Sequence, residues 1–576
     1  MLKLLLALVS AAAYAPEDPT QWAVSWLSPS SGPGKTVGGK LTYQDGMPLG
    51  NGRATVLAWA NTTTGGVGML ISHQEAMSSN TDLFKLGLLQ LALTPNPYTQ
   101  GSYFNQTLDV GTATLTIYAG GTGLSDYAVM FTVYVDANSD SVLASVAARD
   151  PSSLYSLTAT VSSTRPSTVW QYKDSFSSCT PVYANPDVAL DPLPPPQHLA
   201  RPAPQSLGDA FRHASGARRP QRTITPLPGT AAFQPGSLIF YHRNADSDGL
   251  TINATLTQQN ISQLIATTPD YWRDLQFGFA LDAGAPSAGA PALQRTSPTT
   301  LTSAAPAPAF TVRATLLVVQ TDSVPEWVAD LAALVSSADA SASGQREGHL
   351  AYWAGFWARS HIVVNTTSAP ETSRLCFMYA LTRYTQAVQS RGTFNIMKFN
   401  GGAFLAAMGS DGEADERDWG SSNWWQNFRL PYGAMLAAGD FDTFQVILDY
   451  MANQEVLLGQ RTLAYFGHEG MWTAETAHFS GAYDPSDYGC SRGAGWPDWL
   501  MQSGYIKIDQ GGDSGTGEWP LMALDYLMYT NSTEAFAPYF KLAVQAANYF
   551  MHHFSLSEDG SRIVVYPAQV LETFCA

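Results

Sequence analysis

Between about Trp22 and Gln320, apolar positions alternate with polar ones or gather in short runs rich in Val, Thr and Tyr. Residues 113–118 (ATLTIY), 127–135 (YAVMFTVYV), 141–148 and 157–161 are such runs, separated by Gly, Asn, Asp and Ser clusters. A two-residue period places alternate side chains on one face of a pleated chain, so each run predicts a strand with one buried face. Further strands are expected at 237–241, 250–256, 277–281 and 311–320. Short strands at this spacing predict a large antiparallel β-sandwich over residues 16–321. Two stretches interrupt the pattern: a Pro- and Arg-rich segment at 191–229 and an Ala/Pro/Ser/Thr tract at 283–309. Neither offers enough apolar surface to offset the entropy of ordering it, so both are expected as surface insertions.

After Asp322 the period changes to three and four. Residues 327–335 and 349–359 predict helices in a linker over 322–360. Helices then follow at 373–388, 423–437, 441–458, 519–529 and 534–554, in a domain over 361–576. Asp440, after Gly439, reads as an N-cap, and Ser532 reads as another. The expected fold class is therefore α+β and multidomain: a sandwich, a helical linker and a helical domain. The links between residues 459 and 517 carry many of that domain's His, Trp, Glu and Asp, and loops gathered at one end of such helices build a cleft.

Charge and the chain start narrow the setting. The 30 Lys and Arg against 47 Asp and Glu leave a net charge of -17, which argues against nucleic acid as a partner. Lys3, the apolar run 4–13 and Ala13-Tyr14-Ala15 read as a signal peptide over 1–15. No later run approaches the ~20 apolar residues of a membrane span. N-x-S/T sequons at Asn61, Asn105, Asn253, Asn260, Asn365 and Asn531 agree with a secreted protein, extracellular or in the lumen of the secretory pathway. The four cysteines lack the spacing of a zinc site, and Cys376, in an apolar helical run, reads as a buried free thiol. No metal or cofactor is expected, and the oligomeric state is not specified by the sequence.

The candidate chemistry centres on residues 418–442, DWGSSNWWQNFRLPYGAMLAAGDFD, and on 465–479, YFGHEGMWTAETAHF. Indole faces stack on pyranose rings, while amides and carboxylates bond sugar hydroxyls. Trp424, Trp425, Gln426, Asn427, Arg429 and His478 are the candidate substrate-binding residues. Packing of an aromatic-rich helix is the competing reading, but adjacent Trp424 and Trp425 cannot both face one core from a helix. Glu475, Glu518 and Asp513 are carboxylates in cleft-like segments. Glu518 opens a helix, whose dipole favours its charged form, so it suits a base or a ligand, or simply stabilises the helix.

A sandwich, a helical linker and helical hairpins in this order resemble the six-hairpin (α/α)6 glycosidases. MPLGNGRATVLAW (47–59), IFYHRN (239–244), YWAGFWARSHI (352–362), SRGTFNIMKFNGGAF (390–404), the 418–442 block and YPAQVLETF (566–574) are similar, in order, to glycoside hydrolase family 95. They are closer still to secreted proteins whose N-terminal sandwich is a domain of unknown function numbered 5703. The resemblance implies a partial (α/α)6 toroid acting on carbohydrate by inversion. PAQVLE (567–572) is similar to the family segment holding the general acid, which makes Glu572 the candidate proton donor. The family's water-holding Asn-x-Asn is replaced, with Ser422 and Trp424 at those positions.

Inversion needs a second carboxyl, or its water network, about 6.5–9.5 Å from the acid. In the family that Asp lies far beyond the acid, whereas this sequence runs four residues past Glu572. About half of the toroid is then missing, and Glu475, Glu518 or Asp513 would have to substitute for the absent carboxylate. Two other readings stay open: a polysaccharide lyase recruiting His478, Tyr483, Asn427 and Arg429, and a non-catalytic glycan-binding or truncated homologue.

Overall fold

The computed structural model describes residues 22–29, 35–37, 40–42, 46–77, 83–163, 180–183, 233, 237–244, 256, 262–266, 268–284, 291–363, 370–392, 396–397, 402–404, 423–473, 476–477, 481, 515–565, 569–570 and 574–575. The leader at 1–15 and the insertion at 191–229 lie outside these residues.

Two antiparallel sheets form the N-terminal part. The strands are β1 (Ala23–Trp26), β2 (Met47–Gly50), β3 (Ala54–Asn61), β4 (Gly66–Met77), β5 (Leu83–Thr94), β6 (Phe104–Asp109), β7 (Thr114–Ala119) and β8 (Val129–Val135). They continue with β9 (Ser141–Ala148), β10 (Ser156–Ser162), β11 (Thr180–Tyr183), β12 (Leu238–Arg243), β13 (Leu275–Asp282), β14 (Leu293–Ser297), β15 (Thr300–Ser303) and β16 (Ala309–Gln320). Nine strands run β1-β6-β7-β8-β9-β16-β13-β12-β11 in one sheet, and seven run β14-β15-β10-β5-β4-β3-β2 in the other. Alternation shows in the register: Phe131, Val133 and Val135 of β8 point into the shared core while Met130 and Thr132 are half-buried. Phe84 of the second sheet meets Phe277 and His242 of the first at ring-centroid distances of 6.0 and 5.4 Å.

The tract at 283–309 is not a plain surface insertion. Its described part supplies β14 and β15, with Leu301 opposite Ala159 of β10 and both Leu293 and Leu301 buried. The few apolar residues of an otherwise polar stretch fall on the inward positions, which is all an edge hairpin requires.

The two linker helices read from the sequence are one, α1 (Val324–Arg359). The Ser323 hydroxyl accepts the Glu326 N–H at 3.3 Å, and the Glu326 carboxylate accepts the Asp322 N–H at 3.1 Å, so both partners of a capping box are present one residue out of the usual register. Trp327, Leu331 and Val335 bury against Ile239, Ala280 and Val319 of the nine-stranded sheet. Further along, His349 accepts the Ala137 N–H on Nδ1 at 3.2 Å and donates from Nε2 to the Thr112 carbonyl at 2.8 Å. That pattern needs the neutral ring, and burial pushes its pKa down to about 4.

Helix α2 (Pro370–Ala387) ends against the Gly-Asn-Gly-Arg turn that follows β2. A Cβ on Gly50 would stand 2.4 Å from the Val388 carbonyl oxygen, and one on Gly52, at φ +97°, would stand 2.4 Å from Arg391 Cβ. The glycines of MPLGNGR thus let the helical part approach the sandwich backbone to backbone. Arg391 completes the joint by donating to the Asn51 and Ala137 carbonyls.

The helix expected over 423–437 is broken into β17 (Asn423–Trp424), α3 (Trp425–Phe428) and a 3-10 turn at Leu430–Tyr432. Pro431 removes an amide donor and disfavours helical geometry at Leu430, which ends the run. Helix α4 (Phe441–Phe466) follows. Asp440 occupies its N-cap position without making the cap bond. Its carboxylate instead accepts from Arg383 Nε and Nη2 at 2.6 and 2.7 Å and pairs with Arg359 at 3.1 Å, tying α1, α2 and α4 together.

Helix α5 (Gly515–Thr530) comes next. The last expected helix, 534–554, is split by Pro538 into α6 (Thr533–Phe536) and α7 (Phe540–His553). Ser532 does cap α6, accepting from the Ala535 N–H at 3.1 Å. Cys376 is buried. No helix among the described residues is long and apolar enough to cross a membrane.

Candidate functional site

The two segments singled out in the sequence meet. β17 pairs antiparallel with β18 (Thr476–Ala477), placing Asn423 opposite Ala477 and Trp424 opposite Thr476. The approach of residues 472, 473 and 481 to the helices is fixed by bonds from or to their backbone. Thr473 N–H donates to Thr516 Oγ1 at 3.0 Å, Trp472 N–H to Thr462 Oγ1 at 2.8 Å, and Arg461 to the Gly481 carbonyl at 2.8 Å. Thr516 lies in the first turn of α5, two residues before Glu518. The loop, β17 and the start of α5 therefore converge.

Glu518 sits where they meet. Its Oε2 accepts the Trp425 indole N–H at 2.5 Å and lies 2.9 Å from Arg429 Nε. The Glu518 and Arg429 side chains are 23% and 26% exposed, enough for a solute to reach the pair. The first turn of α5 adds the helix dipole, which favours the carboxylate there. Held this way, Glu518 can accept hydrogen bonds or polarise a water.

Trp425 is only 2% exposed and packs on Phe428 and Trp519 at 5.1 and 5.2 Å between ring centroids. It was expected as a substrate-binding residue; here its ring packs in the core and its indole N–H bonds Glu518. Asn427 is half-buried on α3. Asn423 donates to the Tyr450 hydroxyl at 3.0 Å; burial raises the phenol of Tyr450 well above its usual range and keeps it neutral. Tyr432, pushed up to about 12 by burial, accepts the Met397 N–H at 2.9 Å.

The remaining expected residues are not described. Glu572, Glu475, His478, Asp513 and Tyr483 lie outside the described residues, as do the side chains of Trp424 and Gln426. Among the described residues no group of three His, Cys, Asp or Glu side chains could hold a metal ion.

A second polar cluster, at the joint of sandwich and helices, was not read from the sequence. β4 shifts register between Ser72 and Met77, and the run carries His73, Gln74 and Glu75, all buried. Arg53 lies 3.2 Å from Asp140 and 3.6 Å from Glu75, and His73 Nε2 is 3.4 Å from Asp140. Burial works against the Asp140 charge, yet Arg53, His73 and the Asn51 amide hold its carboxyl below the usual range. The signal was present as Ser-His-Gln-Glu inside an otherwise apolar strand, since buried charges in a strand interrupted by a bulge mark a designed feature.

Comparison with known proteins places this arrangement. The profile of a domain of unknown function, DUF5703, matches residues 40–187 and 202–362. A search of curated proteins finds no match. Among solved structures, a protein from the human microbiome provisionally named a kojibiose phosphorylase matches at TM-score 0.51 and 8% identity, over 96% of this chain and 62% of that one. A bacterial glucoamylase complexed with acarbose matches at TM-score 0.33 and 9% identity, over 92% of this chain and 70% of that one. The chain thus spans less than two thirds of the phosphorylase-like structure, whose fold it shares: a large β-sandwich followed by helices, here a partial helical domain. With the profile covering more than half of its length, the chain belongs to the DUF5703 family.

Proposed function

We propose that this chain is a secreted, carbohydrate-active protein that cleaves glycosidic bonds of oligo- or polysaccharides, by inverting hydrolysis with Glu572 as the general acid. The observation that carries the reading is the Trp425–Glu518–Arg429 constellation beside the β17–β18 ladder. It supplies what one side of a sugar site needs: a fixed carboxylate and a guanidinium with several donors. Inversion uses one carboxyl to protonate the leaving oxygen and a second to direct water from the opposite face. Glu518 takes the water-directing or substrate-binding side, because its carboxylate accepts the Trp425 indole N–H, lies 2.9 Å from the Arg429 guanidinium and sits in the first turn of α5. Proton donation falls to Glu572. The provisional name of the structural neighbour refers to a phosphorylase of the disaccharide kojibiose, which also breaks a glycosidic bond, and supports the substrate class.

The test is a time-resolved proton NMR assay on a panel of α- and β-linked oligosaccharides, with and without inorganic phosphate. Inverted reducing sugar formed without phosphate, and lost in Glu572→Gln by about 10²- to 10⁴-fold, is the expected result. Retention of configuration, a strict need for phosphate, or an undiminished Glu572→Gln rate would each contradict it.

A further inference from the structure

The N-x-S/T sequons at Asn61, Asn105 and Asn531 fall among the described residues. Asn61 ends β3 and Asn105 lies within β6, and both are half-buried. Their amide oxygens accept from the Thr64 N–H at 3.2 Å and from the Thr107 hydroxyl at 2.6 Å. Asn531 differs. It is exposed in the turn between α5 and α6, and so is Thr533, whose hydroxyl completes its sequon.

That turn has a requirement of its own. Asn531 stands at φ +48° and donates its N–H to the Leu527 carbonyl at 2.8 Å, the bond of a helix that ends on a left-handed residue. Glycine meets this need without a Cβ penalty, and asparagine is one of the few side chains that tolerate it. Ser532 then starts α6 by accepting the Ala535 N–H on its hydroxyl. Gly-Ser would therefore end one helix and cap the next. Asn-Ser-Thr does both and adds an acceptor for an N-linked sugar.

We propose that Asn531 carries an N-linked glycan whose first N-acetylglucosamine packs on Tyr529. The inference rests on the secretory route proposed above. The donor is a polyprenyl diphosphate-linked oligosaccharide of the secretory lumen. Asn531 Nδ2 forms a bond to the anomeric carbon, the carbon–oxygen bond to the diphosphate breaks, Nδ2 gives up one proton, and the polyprenyl diphosphate leaves. No electron donor or acceptor is needed. Tyr529 and Met528, in the last turn of α5, are 54% and 77% exposed. Tyr529 stands two positions before Asn531, so their Cα atoms are no more than about 7 Å apart, within reach of a sugar on the Asn531 amide. An aromatic face and the apolar face of a sugar ring lose water together when they stack. The glycan thus covers part of the apolar end of α5.

The test is expression of the full chain in a eukaryotic secretory host, followed by peptide mass spectrometry after glycosidase release in heavy-oxygen water, which marks each formerly glycosylated Asn as a labelled Asp. Label at Asn531 in most secreted molecules is expected. Asn531→Gly keeps the left-handed turn, and Thr533→Ala keeps both Asn531 and the Ser532 cap; each should lose the glycan at this position and still be secreted. Enzymatic removal of the glycans should lower the melting midpoint of the wild type by about 1–3 °C more than that of Tyr529→Ala. Secreted protein with Asn531 unlabelled would overturn the proposal and leave the secretory reading standing. Protein held in the cytosol would overturn both. An equal change of midpoint in the wild type and Tyr529→Ala would overturn the packing on Tyr529.

Discussion

Trp425 and Glu518, far apart in sequence, are joined by an indole N–H···carboxylate bond of 2.5 Å. One partner is buried in the helical core and the other reaches a partly open position, so the core fixes where the site's carboxylate points. Trp425→Phe keeps most of the packing and removes the donor. A hydrogen bond to a charged group is worth about 1.5–3 kcal/mol, and a loss of that order is expected in urea unfolding. Oligosaccharide affinity should fall with it while the secondary structure is retained. Unchanged sugar affinity would mean that Glu518 does not need Trp425 to be positioned.

Asp440 distinguishes capping from ion pairing. Were it a cap, Asp440→Ser would be nearly neutral, since serine caps as well as aspartate. The bidentate bond to the buried Arg383 makes the opposite expectation: removing one partner of a buried pair costs about 3–5 kcal/mol. Chemical denaturation of Asp440→Ser decides between them, and a change below about 1 kcal/mol would favour the cap.

Glycine substitutions should separate joint from helix. Gly52→Ala strains a left-handed residue and meets Arg391, so a loss of about 1–3 kcal/mol is expected. Gly344, in the middle of α1, has nothing within 4 Å of an added Cβ. There alanine should stabilise by about 0.5–1 kcal/mol through helix propensity. Thermal melts of both variants check the pair of signs.

His349 predicts an acid-side loss of stability. Its folded pKa of about 4 lies below the ordinary 6.5, so below pH 6.5 the unfolded chain binds a proton that the folded chain refuses. The contribution is fully present above pH 6.5 and is lost as pH falls from there to about 4, by about 3 kcal/mol in all. Stability measured from pH 7.5 to 4 should slope less in His349→Gln than in the wild type. Parallel slopes would show that the ring is not held neutral.

The sandwich was largely legible because period-two patterning reports burial directly: the run at 141–148 coincides with β9, and 311–320 lies within β16. The hairpin at β14–β15 escaped notice because only Leu293 and Leu301 mark its inward face. Helix existence was legible and continuity was not; Pro431 and Pro538 each break a run whose apolar spacing continues through them. The two segments singled out in the sequence do pair, but the burial of Trp425 was not legible, since an indole that stacks on sugar and one that anchors a core look alike without burial. Asp440 failed for a related reason: its partner, Arg383, is distant in sequence. The cluster of Arg53, His73, Glu75 and Asp140 depends on contacts between strands and a turn, which no local spacing reveals.

The most direct measurement of the central reading is isothermal titration of the 576-residue chain with a set of neutral and acidic oligosaccharides, beside Glu518→Gln and Arg429→Met. Saturable binding to the wild type, weakened about tenfold or more in both variants, is expected if this constellation forms the sugar site. Absence of binding across the set, or equal affinity in all three proteins, would contradict it.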